Sequence, residues 1–157
     1  MIPCCDTLAF MEQIFEAHHD SFIISTDPAR LDMNAIYDFL SRAYWAKGRP
    51  RERTQDAVKN SLVFGLYQGK RQIGIARVVT DYSIVAYLCD VFIDEEYRGH
   101  GLGKWLVQSI LEHPDLKHIR RWLLATDDAH GLYQQFDFEP LAEPEKWMQR
   151  LRPFPGE

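Results

Sequence analysis

The residues best suited to chemistry form one run, Tyr97-Arg98-Gly99-His100-Gly101-Leu102-Gly103-Lys104. Glycines at alternate positions let a backbone turn sharply and aim its N–H groups at one point. Arg98 and Lys104 bracket them with side-chain cations. An apolar stretch, Val85 to Ile93, precedes the run. Behind it, Leu102, Leu106 and Ile110 recur at helical spacing, with Val107 and Leu111 beside them. Strand, glycine loop and helix in that order bind anions, because free N–H groups and the positive end of the helix dipole face the loop. The anion that fits is the diphosphate of a nucleotide-containing cofactor. Two familiar phosphate loops fit less well. The glycines are evenly spaced rather than Gly-x-Gly-x-x-Gly, and Lys104 is followed by Trp105, which cannot hold magnesium as a Walker Ser or Thr does. For the glycines alone, a plain strand-to-helix turn is the alternative.

The elements that must position this loop are legible in outline. Leu8, Met11, Ile14 and Phe15 have helical spacing, which predicts a short amphipathic helix within residues 6–19. Phe22 to Ser25 reads as a first strand. Asp32 is placed to cap a helix carrying Ile36, Phe39 and Leu40, and a second helix is expected from about Arg53 to Lys59. Ser61 to Tyr67 and Gln72 to Thr80 read as a hairpin around Gly69, followed after Asp81-Tyr82-Ser83 by a strand from Ile84 to Ile93. Three strands with short turns form an antiparallel meander. The strand–helix–strand–helix–strand order that follows requires crossovers. The fold class is therefore α+β (mixed α/β), with a central, mostly antiparallel twisted sheet and helices on both faces. The tail from Pro144 to Glu157 reads as irregular.

A second motif follows the loop by about thirty residues. Strand-like Arg121-Trp122-Leu123-Leu124-Ala125-Thr126 leads to Ala129-His130-Gly131-Leu132-Tyr133-Gln134-Gln135-Phe136-Asp137-Phe138. The first motif, Arg-Gly-x-Gly-x-Gly after a strand ending Asp-Val-Phe-Ile, resembles the acetyl-CoA loop of the GNAT superfamily of N-acetyltransferases. The second resembles that family's Ala-x-x-Leu-Tyr-x-x-x-Gly-Phe segment. The likeness spans roughly residues 22 to 143. It divides the chain into an N-terminal helical extension, 1–20, and a GNAT-like N-acetyltransferase domain, 21–157.

The resemblance implies an acetyl-CoA-dependent N-acetyltransferase that moves the acetyl group directly to a primary amine of a small molecule or protein. Acyl transfer needs a deprotonated amine, stabilisation of an oxyanion and a proton for the departing thiolate. By resemblance, the backbone of Val91, Phe92 and Ile93 pairs with the pantetheine arm and polarises the thioester carbonyl. Arg98, Gly99, His100, Gly101, Leu102, Gly103 and Lys104 hold the diphosphate. Thr126 and His130 contact the cofactor, and Tyr133 is the general acid. A solvent-facing place is the alternative for His100, and half-buried packing is the alternative for Tyr133. Asp90 either handles the amine and its proton or forms a structural salt bridge. Strict alternation puts Asp90 on the face of Leu88 and Phe92, away from Val91 and Ile93, unless a bulge re-aims it. Tyr37, Tyr44, Trp45 and Tyr82 are acceptor-pocket candidates by position in the family fold. Tyr87 and Cys89 border the site by parity. Three departures stand out: Thr126 for the family's asparagine, Asp137 for its glycine, and Cys89 where some members have an acid. A CoA-sensing or scaffold domain without turnover is the alternative function, and a nucleotide-binding regulator is disfavoured by the glycine spacing.

Composition bounds these readings. With 157 residues, 46% hydrophobic and 13% aromatic, the chain is long enough for one domain with a real core. A net charge of −5 argues against sequence-independent nucleic-acid binding. No apolar run suits a membrane span and no export signal opens the chain, so the expected place is cytoplasmic. Cys4, Cys5 and Cys89 make no paired framework, and the six histidines have no ligand spacing, so no metal is expected. Residues 42–53 hold Arg42, Lys47, Arg49, Arg51 and Arg53 against Glu52, a local balance of +4. Such a run is either a solvated face or a surface meeting an anionic part of the substrate or the adenosine phosphate. The N-terminal extension packs on the domain or on a second subunit, which leaves a homodimer open.

Overall fold

The computed structural model describes residues 13–154. Its six strands run in chain order across one sheet. They are β1 (Glu16–His19), β2 (Phe22–Ser25), β3 (Leu62–Gln68), β4 (Arg71–Thr80), β5 (Val85–Ile93) and β6 (Arg121–Leu123). Neighbours pair antiparallel as far as β5, and β6 joins β5 in parallel. The helices are α1 (Met33–Ser41), α2 (Arg51–Lys59), α3 (Leu102–Leu111) and the single turn α4 (His130–Tyr133). The α+β reading with helices on both faces holds, and the reason is two separate cores. Leu102, Leu106 and Ile110 of α3 pack on Phe64, Val78 and Leu88. Ile36, Phe39 and Leu40 of α1 pack on Val63, Ile75 and Phe92 across the sheet.

Local chemistry sets the element ends. The Asp32 carboxylate accepts from the Asn34 and Ala35 N–H groups at 2.9 and 3.1 Å, capping α1 as its type predicts. Pro50 stands at the N-cap of α2, so that helix begins at Arg51 rather than Arg53. Gly69, with φ of 59°, turns β3 into β4. Asp81 Oδ1 accepts from the Ser83, Ile84 and Val85 amides and closes the turn into β5.

Three expectations change. The helix foreseen over residues 6–19 lies partly outside the described residues, and its described end is strand β1, paired with β2. Glu16 to His19 thus obey the sheet rather than their helical spacing, and Phe22–Ser25 is the second strand. The segment after Tyr133 continues as a 3-10 turn to Phe136 and forms no strand at Phe138. Among the described residues, no helix is long and apolar enough to cross a membrane. Replacing Asp32 with Ala removes two capping bonds, and chemical denaturation should show a loss of about 1 kcal/mol.

Candidate active site

Between the end of β5 and the start of α3 the chain turns through the glycine run at residues 99–103. Gly99 and Gly101 have φ of 80° and 75°, a region that side chains with a Cβ rarely enter. Gly101 is the N-cap of α3 and no side chain caps the helix there, so the first-turn N–H groups are left open. Gly103 is different. A Cβ there would meet Ile93 and Leu132 only at 3.9 Å, so nothing among the described residues demands glycine. Lys104 has no acidic partner among the described residues. Arg98 folds back, its Nε donating to the Ile93 carbonyl at 2.9 Å while its guanidinium lies 5.2 Å from the Phe92 ring.

The glycine run opens into a cavity of about 670 Å³. Its wall includes Val91 to Ile93, Arg98, Gly99, Gly101 to Lys104, Thr126 and Tyr133, which the sequence had separated by up to 42 positions. The opening exists because β6 pairs with β5 only at Val85, Ala86 and Tyr87. From Leu88 onward, that edge of β5 has no strand beside it among the described residues. Tyr133 is 8% exposed and reaches the same cavity from α4. Its hydroxyl has no hydrogen-bond partner among the described residues. Burial, aided by Tyr44 and Asp128, pushes the phenol up to about 12, so it keeps its proton and remains a donor.

A bulge interrupts β5 where it lines the cavity. Two residues of β5, Asp90 and Val91, oppose Ala76 alone, and Asp90 takes φ of 50°. The bulge reverses the strand's parity. Leu88 belongs to the α3 core and Phe92 to the α1 core, although four positions separate them. Asp90 turns inward to Arg77 Nε at 2.7 Å and Arg49 Nη1 at 2.8 Å, both on Oδ2, while Trp45 Nε1 donates to Oδ1 at 3.1 Å. Burial works to raise this carboxyl, but hydrogen bonds and charge from the two guanidiniums outweigh it and hold it below the usual range.

Comparison with known proteins agrees with this geometry. The sequence model of the acetyltransferase (GNAT) family matches residues 30–138. The chain belongs to the GNAT family of acetyltransferases. A GNAT-family protein of Xanthomonas campestris superposes with a TM-score of 0.81 at 42% identity, over 88% of this chain and 96% of that one. A candidate acetyltransferase of Gibberella zeae is 33% identical over 133 residues, covering 71% of this chain and 75% of its own length. A GNAT acetyltransferase of Elizabethkingia anophelis, solved with acetyl-CoA bound, shares the fold at 16% identity with a TM-score of 0.59, over 75% of this chain and 76% of that one.

Each departure from the GNAT pattern has a local outcome. Thr126 Oγ1 accepts from the Ala129 amide at 3.0 Å and so secures the approach to α4. Asp137 adopts the left-handed φ of 62° that the family's glycine would supply. Cys89 lines the cavity, but burial pushes its thiol up to about 11, which denies it a reactive thiolate. His100 and His130 are exposed and stand outside the cavity wall. Tyr44, Trp45 and Tyr87 line it. Tyr37 instead lies against Arg51, 4.6 Å from its guanidinium, and Tyr82 sits in the β4–β5 turn at the other end of the sheet, because the meander carries it there.

The basic loop is partly absorbed by the fold, since Arg42 pairs with Asp38 and Glu95 and Arg49 with Asp90. Arg77 is the cavity-lining residue that sequence reading missed, while Arg49 was foreseen only as one of the basic run 42–53. The one available signal for Arg77 was a charge inside the apolar strand Ile73–Val79. Asp90 has a folded-state pKa below its unfolded value, so its stabilisation is present above about pH 4 and fades as pH falls through the folded pKa. An Asp90→Asn variant should lose about 3 kcal/mol near neutrality by leaving buried guanidiniums unbalanced. In acid denaturation, its deficit from the parent should shrink below about pH 4.

Proposed function

We propose that this acetyltransferase takes its acetyl group from acetyl-CoA and passes it directly to a primary amine of a small molecule or protein. The observation that carries the reading is the continuity of one cavity from the uncapped start of α3, along the unpaired edge of β5, to the Tyr133 hydroxyl. That donor set fits the cofactor. Open N–H groups with Lys104 suit a diphosphate, and a bare strand edge suits an amide-bearing arm laid beside Val91 to Ile93. Bound acetyl-CoA supplies an acyl group activated as a thioester.

The chain's own residues supply the rest. A backbone N–H on the open edge of β5, within Val91 to Ile93, is the donor for a developing oxyanion. Tyr133, held protonated by burial, keeps a proton for the departing thiolate. Asp90 acts as a positioning residue, because both guanidiniums already occupy its Oδ2 and the fold favours its ionised form. Cys89, held as a thiol by burial, is a poor acyl carrier, which favours the direct transfer proposed here. Tyr133→Phe should lower kcat about 100-fold or more in a thiol-release assay. Its acetyl-CoA affinity, read by calorimetry, should remain near that of the parent. An unchanged kcat would count against Tyr133 as the acid.

A further inference from the structure

Away from the glycine run, the cavity wall is made by Tyr44, Trp45, Val79 and Tyr87, large side chains left between 40% and 46% exposed. Two guanidiniums and the Asp90 carboxylate stand among them, and the Asp128 carboxylate lines the same cavity beside Tyr133. Arg77 suffices to neutralise Asp90: its Nε donates to Oδ2, and its Nη1 is taken by Ser61 Oγ and the Ala57 carbonyl. Arg49 brings a second cation to the same oxygen through Nη1. Its Nε and Nη2 have no partner among the described residues, and Asp90 is its only ion-pair partner there. The Arg49 side chain is 17% exposed and lines the cavity. The cluster therefore carries one uncompensated positive charge in a largely buried place. An intact N–H fork, the edge formed by Nε and Nη2, goes with it. Neither nitrogen is sealed from solvent, so both are free to exchange water for a ligand, and this edge of a guanidinium matches two oxygens of one carboxylate or phosphate.

The cofactor's diphosphate does not take this fork, because its cradle lies at the far end of Val91 to Ile93 from Asp90. We infer that the acceptor takes it: the substrate is a small amine that also carries a carboxylate or phosphate, gripped side-on by Arg49. Its apolar body rests against Trp45 and Tyr87. Its amine points toward Tyr133 and Asp128, which lies close enough to help raise that phenol. Arg49 is then a specificity residue, oriented by Asp90. This inference rests on the transfer reading above and narrows its acceptor.

The test pairs each acid with its uncharged twin. An α-amino acid is compared with its carboxamide, and an amino-sugar phosphate with the parent sugar, which separates carboxylate from phosphate as the source of the oxyanion. Each is titrated into the protein–CoA complex by calorimetry and assayed for thiol release from acetyl-CoA. At least one acid should exceed its twin by about tenfold or more in affinity and in kcat/KM. Arg49→Gln should bring that ratio close to one, and Arg49→Lys, which keeps the charge without the fork, should restore only part of it. Acetyl-CoA affinity should stay the same in both variants, since Arg77 still balances Asp90. Twins that match or beat their acids would overturn the inference, as would a preference that survives Arg49→Gln. Arg49-dependent binding without thiol release would uphold the inference and count against the transfer reading alone.

Discussion

The site depends on one buried constraint, the bulge at Asp90 and the ion cluster that holds it. A non-glycine residue at φ of 50° is strained by roughly 1–3 kcal/mol and persists only where its surroundings demand it. Here two guanidiniums and an indole N–H grip the carboxylate. The extra residue bends β5 and exchanges the faces of Leu88 and Phe92. On the other edge, pairing with β6 has already ended at Tyr87. A sheet that ran straight and fully paired through Ile93 would have no slot. Arg77 holds Asp90 from within the sheet, while Trp45 and Arg49 tie the acceptor wall to the same carboxylate.

The cavity's electrostatics are divided along its length. At one end lie Lys104 and the open N–H groups of α3, a site for negative charge. At the other, Arg49 and Arg77 surround Asp90 and leave a smaller positive excess. Two further groups on the cavity wall are held neutral, Tyr133 at about 12 and Cys89 at about 11. Burial is the main cause in both cases. The cavity thus offers a phenol donor and no thiolate.

Much of this was legible in the sequence because it is local. Gly99 and Gly101 announce their positive φ, Asp32 its cap, and Asp137 its left-handed turn. The two cores follow from residue periodicity in α1, α3 and the strands. The ion cluster was not legible, since Asp90 meets Arg77 from 13 positions away and Arg49 from 41. No spacing rule links such residues, and only the folded sheet brings the basic loop over the bulge. Nor could alternation reveal the bulge, because a single inserted residue leaves the apolar pattern of β5 looking regular. At Glu16–His19, strand pairing with β2 overrode a helical pattern too short to enforce itself.

Amide hydrogen exchange with and without acetyl-CoA tests the central claim most directly. If the unpaired edge of β5 and the uncapped start of α3 hold the cofactor, exchange should slow at residues 91–93 and 99–104 when acetyl-CoA is added at saturation. β1 and β2, remote from the cavity, should be unaffected. Saturating acetyl-CoA that leaves exchange at 91–93 and 99–104 unchanged would contradict the account.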